Sequence, residues 1–245
     1  MIPVALQLYT LREYASKDFT GTLRKVAKIG YQGVEFAGYG NMKAEDLKSL
    51  LDELNMKAAG SHVSIDTLRD DLKDVIDYNI KIGNHFIVCP WQKYSGKEDF
   101  ISFAKELNGI GKVCRENGLR FCYHNHAHEF ERFDGTYGFD LLIENTDPEF
   151  VYFEVDVYWL KYAGADPITY IKKLGSRMPL IHIKDMERVG RDFAEVGTGI
   201  MDIHGIVAES KRSNVEWLIV EQDKCNRDPF ESIKISFENL KKINS

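Results

Sequence analysis

Two kinds of segment alternate along the whole chain. Short apolar or β-branched runs occur at Val4–Leu8, Gly33–Phe36, Lys57–Ser61, His85–Cys89, Arg120–Tyr123, Val151–Val155, Leu180–Ile183 and Trp217–Val220, eight in all. Between them lie longer amphipathic segments. Leu47, Leu50, Leu51 and Leu54 recur at helical spacing, as do Leu72, Val75, Ile76, Asn79, Ile80 and Ile82, and again Phe100, Phe103, Ala104, Leu107 and Ile110. Asp166-Pro167 and Asp228-Pro229 have the form of helix starts, an N-cap followed by proline in the first turn, while Asn117-Gly118 and Gly175 read as stops.

Strand–helix alternation predicts a parallel sheet buried on both faces. Eight units in 245 residues close most simply into a (β/α)8 TIM barrel, an α/β fold with one domain spanning residues 1–245. An open doubly wound sheet would carry a glycine-rich turn after its first strand, and "LQLYTLREY" has no glycine. The "VGTG" at Val196–Gly199 neither follows a strand directly nor opens a βαβ unit, so a flexible loop is expected there.

Composition narrows the class. Hydrophobic residues make up 44% and charged residues 29%, enough apolar material for a sizeable core. The formal net charge of −6 argues against a protein that grips nucleic acid through its phosphates. The chain has no apolar run of bilayer length, its first residues lack signal-peptide features, and Cys89, Cys114, Cys122 and Cys225 form no CxxC pair. A cytoplasmic protein with reduced thiols and no membrane partner is expected. The aromatic content of 12% is compatible with a homo-oligomer, though no segment specifies one.

A barrel places chemistry at the carboxyl ends of its strands. The eight runs end near Gln7, Glu35, His62, Trp91-Gln92, His124-Asn125-His126, Asp156, His182 and Glu221. Taken singly, each has an ordinary explanation as a cap, a solvated loop residue or a hydrogen-bonded histidine. Together they would bring several carboxylates into one mouth, at several kcal/mol each, by order of magnitude, without a counter-charge. A divalent cation is the simplest neutraliser, with His182 as a nitrogen ligand. A mixed carboxylate–imidazole site suits Mn²⁺, Zn²⁺, Co²⁺ or, less well, Mg²⁺, and Mn²⁺ is favoured here. In "YHNHAHEF" (123–130), His124, His126 and His128 would share one face for as long as the chain stays extended. "HEFER" lacks the second histidine of a zincin helix.

With "YHNHAHEF", "EVDVYWLKYAGADP" (154–167), "IHIKD" (181–185) and "VEQD" (220–223), preceded by "LQLYTLRE" and "GYQGVEFAG", the chain resembles the xylose isomerase-like TIM-barrel superfamily over its whole length. That group includes sugar phosphate isomerases/epimerases, inosose dehydratases and endonuclease IV. The resemblance implies one divalent metal held from strands five to eight, with Asp156, His182 and Glu221 matching three ligands. Where epimerases of the group carry a strand-five glutamate, this chain has His124. The fourth ligand is then Glu129, which restores the usual charge, or His124 itself. One or two of the three histidines would alternatively only orient the ligands.

The implied activity is that of a sugar isomerase/epimerase working by proton transfer next to a carbonyl, through a metal-stabilised enediolate. Glu221, His124, His126 and Lys184 are the candidate catalytic residues. Glu35, His62, Trp91 and Trp159 are the candidate contacts to a small sugar or cyclitol. The strand-five histidine turns attention to the alternative, a lyase or dehydratase on a keto-sugar, keto-glycoside or keto-inositol. A non-catalytic sugar-binding barrel and a nuclease are remoter alternatives. Lys184 has an ordinary reading too, a salt bridge to Asp185 or Glu154. No loop carries a glycine-rich phosphate cradle, so an unphosphorylated substrate is expected.

Overall fold

Eight short runs become eight parallel strands. The computed structural model, which describes residues 1–245, forms β1 (Val4–Gln7), β2 (Gly33–Phe36), β3 (Lys57–His62), β4 (Phe86–Cys89), β5 (Arg120–His124), β6 (Val151–Asp156), β7 (Leu180–Ile183) and β8 (Trp217–Val220). They close in chain order, with β1 hydrogen-bonded to both β2 and β8. One principal helix follows each strand: α1 (Phe19–Ile29), α2 (Ala44–Glu53), α3 (Leu72–Ile82), α4 (Lys97–Glu116), α5 (Gly138–Asn145), α6 (Pro167–Leu174), α7 (Ile203–Arg212) and α8 (Pro229–Ile243). This is the (β/α)8 barrel that the alternation predicts.

The helix starts follow the expected chemistry. The Asp166 carboxylate accepts from Thr169 N at 2.9 Å, and Asp228 from Phe230 N at 2.9 Å, each satisfying a first-turn donor that the helix itself leaves unpaired. No helix is long and apolar enough to cross a membrane.

The two-residue period of the strands sorts side chains into two compartments. Phe153, Val155, Ile181, Ile183, Leu218 and Val220 point outward into the core under the helices. Ala5, Ala59, Phe86, Val88, Cys122, Leu180, Trp217 and Ile219 fill the barrel interior toward its amino end. One step further along the strands the inward positions become polar. The ladder pairs Gln7 with Glu35, His124 with Glu154, and Asp156 with His182.

Two glycines make room for this chemistry. The β2–β3 register shifts between Val34 and Glu35, and a Cβ on Gly60 would lie 2.4 Å from Glu35 Oε1. Any side chain there would displace the buried carboxylate. At Gly199 a Cβ would meet Asp185 Oδ1 at 2.3 Å. That aspartate accounts for the "VGTG" segment, which is pinned rather than free. Asp185 Oδ2 accepts from Gly197 N and Gly199 N at 2.9 Å each, and Oδ1 accepts from Met201 N at 3.0 Å.

Candidate active site

Asp156 is the last residue of β6, and its two oxygens do different things. Oδ1 accepts from Tyr158 N (2.9 Å) and Trp159 N (3.1 Å), capping the short helix Val157–Tyr162. Oδ2 is buried without a hydrogen-bond partner and faces the ammonium of Lys184 at 3.0 Å. His182, beside it on β7, places Nδ1 2.9 Å from Glu221 Oε2 and 3.9 Å from Asp156 Oδ2. Ligand atoms of Asp156, His182 and Glu221 all lie within 4.8 Å of one another. Lys184 Nζ also reaches Glu221 Oε2 at 2.6 Å and Asp223 Oδ1 at 2.9 Å. Three carboxylates thus face one ammonium and one imidazole, more negative charge than Lys184 alone neutralises. That excess and the carboxylate–imidazole donor set fit a divalent cation.

Below this group lies a second one. Glu154 Oε2 is 2.8 Å from His62 Nε2, 2.8 Å from His124 Nδ1 and 3.1 Å from His182 Nε2. Glu35 Oε2 accepts from Gln7 Nε2 at 2.8 Å and lies 2.7 Å from His182 Nε2. His62, His124, Glu154 and His182 also come close enough to share an ion. Glu35 and Glu154 fix the His182 ring by gripping Nε2, which leaves Nδ1 for the upper group, the usual way that outer carboxylates orient a ligating imidazole. Glu154 is absent from the sequence-based candidates. Its signal was the period of two in "EVD", which puts it on the same face as Asp156.

The electrostatics divide the histidines. Burial disfavours charge on His62 and His182, yet Glu35 and Glu154 outweigh it, raising His62 to about 10 and His182 well above its ordinary value. Burial and the neighbouring cations push His124 well down and His126 down to about 3, so both are neutral imidazoles. Burial opposes ionisation of Glu35, but His62 and His182 hold it well below the usual carboxylate range. Burial raises Asp156, and raises Asp223 to about 6. Glu221 is held low, Lys184 and His182 overcoming its burial. Lys184 is held well above its ordinary value, its three carboxylates overcoming the burial.

A cavity of about 600 Å³ opens over these groups, lined by Tyr9, His62, Trp91, His124, His126, Lys184, Glu221 and Asp223 among others. Of the residues expected at the site, His62, Trp91, His124, His126, Lys184 and Glu221 line it. Glu35, expected as a substrate contact, is instead fully buried beneath His182. Trp159 packs its indole 5.5 Å from the His126 ring, with Lys184 Nζ 5.7 Å from its own ring centroid. His124 turns Nε2 toward Asp156 Oδ2, 3.8 Å away.

Glu129 does not join them. Its Oε1 accepts from Tyr123 O–H at 2.6 Å and its Oε2 from His126 N at 2.8 Å. The chain turns into a 3-10 helix at His128–Phe130, so the carboxylate that would reach back to the mouth closes that turn instead. His128 leaves the site as well, with Nε2 2.8 Å from Gln92 O. Lys184 pairs with neither Asp185 nor Glu154 but with the three carboxylates above. Asp223, which lines the cavity and holds Lys184, was not singled out in the sequence. It lies two residues beyond Glu221, past the end of β8.

The family model for the xylose isomerase-like TIM barrel matches residues 23–243. The chain belongs to that family. Among the relatives of this xylose isomerase-like barrel, an inosose dehydratase of Mesomycoplasma hyopneumoniae is 28% identical over 272 residues, covering 92% of this chain and 89% of its own. Among solved structures, a sugar phosphate isomerase/epimerase from Parabacteroides distasonis superposes with a TM-score of 0.85 at 24% identity, covering 100% and 96% of the two chains. The IolI protein with a bound zinc atom gives 0.80 at 13% identity, covering 100% and 98%. At those identities the two structures speak for the fold.

Proposed function

We propose that this protein is a divalent-metal-dependent lyase that removes water, or another β-substituent, from a keto-sugar or keto-cyclitol. The observation that carries the reading is the make-up of one cavity. Glu221 and Lys184 line it with His126, whose buried Nδ1 has no hydrogen-bond partner, and Asp156 and His182 lie buried directly beneath, within ligand distance of Glu221. Asp156, His182 and Glu221 would hold the ion, with His124 as fourth ligand in place of Glu129. Mn²⁺ is favoured, with Zn²⁺, Co²⁺ and Mg²⁺ as alternatives. When bound, the ion supplies electrophilic stabilisation to the negative charge that develops on the substrate carbonyl.

The side chains supply the rest. His126 takes the proton from the carbon next to the carbonyl, and the C–H electron pair becomes the enolate. As the carbonyl reforms, the bond to the β-hydroxyl breaks, and that group leaves as water with the proton returned by His126. Lys184, fixed by three carboxylates, offers a positive charge to a substrate oxygen. His62 and Glu221 close the cavity around the ring. Glu35 and Glu154 keep the His182 ring in register.

Two opposed carboxylates, one each from strands five and eight, would favour epimerisation. Here His124 stands at the strand-five place, and this turns the reading from isomerase to lyase. The inosose dehydratase relatives support the same direction and make a keto-inositol the first substrate to try. Return of the proton to the neighbouring carbon by the same imidazole would instead give isomerisation. The four unpaired cysteines favour a reducing compartment such as the cytoplasm.

The test incubates the Mn²⁺-loaded protein with keto-inositols and keto-sugars in D2O. The expected result is an unsaturated ketone formed with loss of water. Deuterium uptake with an isomeric product would move the assignment to isomerase. Neither exchange nor product, with metal bound at one ion per chain, would overturn the reading.

A further inference from the structure

A second cavity, of about 380 Å³, lies beside the first, walled by the segment after β1 and the segment after β8. Its lining includes Arg12, Lys17, Lys224 and Arg227, with Glu13 and Asp223. In a chain of net charge −6 this concentration of cations is a local reversal. Their partners show which charges are free. Arg227 pairs with Glu195 (3.0 Å), and the Asp223 carboxylate is committed to Lys184. Arg12 has no carboxylate partner. Its Nη1 donates to Tyr9 O and Asp223 O, both at 3.0 Å, and its guanidinium lies 4.4 Å over the Tyr9 ring. No ion pair engages Lys17, Lys224 or Glu13. Arg12, Lys17 and Lys224 set against Glu13 leave two positive charges over.

The two cavities meet at a common wall. Asp223 lines both, and Arg12, which lines the second, stacks on Tyr9, which lines the first. Arg12 is held across the seam between the two segments by backbone carbonyls, so one nitrogen is anchored while the rest of its fork is free to bind an anion.

We propose that this second cavity is a subsite for a phosphate monoester, a dianion that matches the two uncompensated charges. Resting on the lyase reading above, the keto-sugar or keto-cyclitol would carry its phosphate here while its carbonyl end reaches the reaction cavity. The subsite is built from side chains of two segments distant in sequence. The absence of a glycine-rich loop therefore says nothing against it, and on this proposal the substrate would be phosphorylated, contrary to the expectation from the sequence.

The test is calorimetric titration of inorganic phosphate into the full-length, Mn²⁺-loaded protein and its variants. Losing charge-assisted hydrogen bonds in Lys17→Ala/Lys224→Ala should raise Kd by about tenfold or more. Glu13→Gln, an exposed change that spares the fold, should lower Kd. Equal affinity in the parent and both variants, or no binding by the parent, would overturn the subsite. Because phosphate binding needs no turnover, the subsite and the lyase reading fail separately. Product formation without phosphate binding removes the subsite, and phosphate binding that responds to the variants, without any reaction on keto-sugars, keto-cyclitols or their phosphate monoesters, removes the lyase.

Discussion

Lys184→Met tests the charge balance at the centre of the site. The ammonium is fully buried and lies 2.6, 2.9 and 3.0 Å from Glu221, Asp223 and Asp156. At an effective dielectric of about 20, a unit charge pair at such distances interacts by about 6 kcal/mol, which desolvation of several kcal/mol per ion largely offsets. Removing one partner is different, because the carboxylates stay buried without their counter-charge, at about 3–5 kcal/mol. For a chain of 245 residues, each kcal/mol moves Tm by about 2–4 °C, so the chelator-treated variant should melt about 6–20 °C below the parent. Mn²⁺ should then stabilise the variant, by about 2.7 kcal/mol at a free concentration one hundred times Kd. It should help the variant more than the parent, whose lysine already neutralises part of the charge. The assay is thermal and urea unfolding in EDTA and in Mn²⁺. A variant within about 1 kcal/mol of the parent in EDTA would refute the argument, as would equal stabilisation of both by metal.

Further outcomes follow from the same geometry. His126→Gln should lower turnover by about 10²–10⁴-fold, the usual contribution of a general base, while metal content stays at the parent level by elemental analysis. Glu129→Gln should cost about 1–3 kcal/mol through its buried bonds to Tyr123 and His126 N, with metal stoichiometry unchanged; loss of the ion would return Glu129 to the ligand set. Asp156→Asn should abolish tight metal binding in equilibrium dialysis. The His62 imidazole is raised to about 10 in the folded chain from its ordinary 6.5. Its contribution is therefore fully present below pH 6.5 and lost as pH rises through 10. Urea midpoints in EDTA should fall across that window, and His62→Gln should flatten the fall.

The barrel was legible because strands buried on both faces read as apolar runs, and each of the eight barrel strands overlaps one of them, whereas the two short hairpins, Arg132–Phe133 with Thr136–Tyr137 and Asp185–Met186 with Phe193–Ala194, lie outside the runs. The strand ends were legible for a related reason. Asp156, His182 and Glu221 interrupt apolar runs where a barrel exposes its mouth, and the fold brings them together. What the sequence hid were choices made by local geometry. Glu129 sits in range of the mouth along the chain, but a single 3-10 turn redirects it to a backbone N–H. Glu35 ends its strand like the others, yet the register shift opposite Gly60 sinks it beneath His182. Asp223 lies in a loop, where no period predicts direction, and its role emerges only with Lys184 in place.

The divided carboxylate of Asp156 would tie an ion held as proposed to the backbone, because its other oxygen caps the Val157–Tyr162 helix. Asparagine would preserve the turn and forfeit the negative charge, whereas glutamate would preserve the charge but, with a longer arm, release the turn. Neither swap would retune such a centre gently, so a design for metal preference would begin at His124 and Glu221, whose side chains hold other side chains but cap no helix.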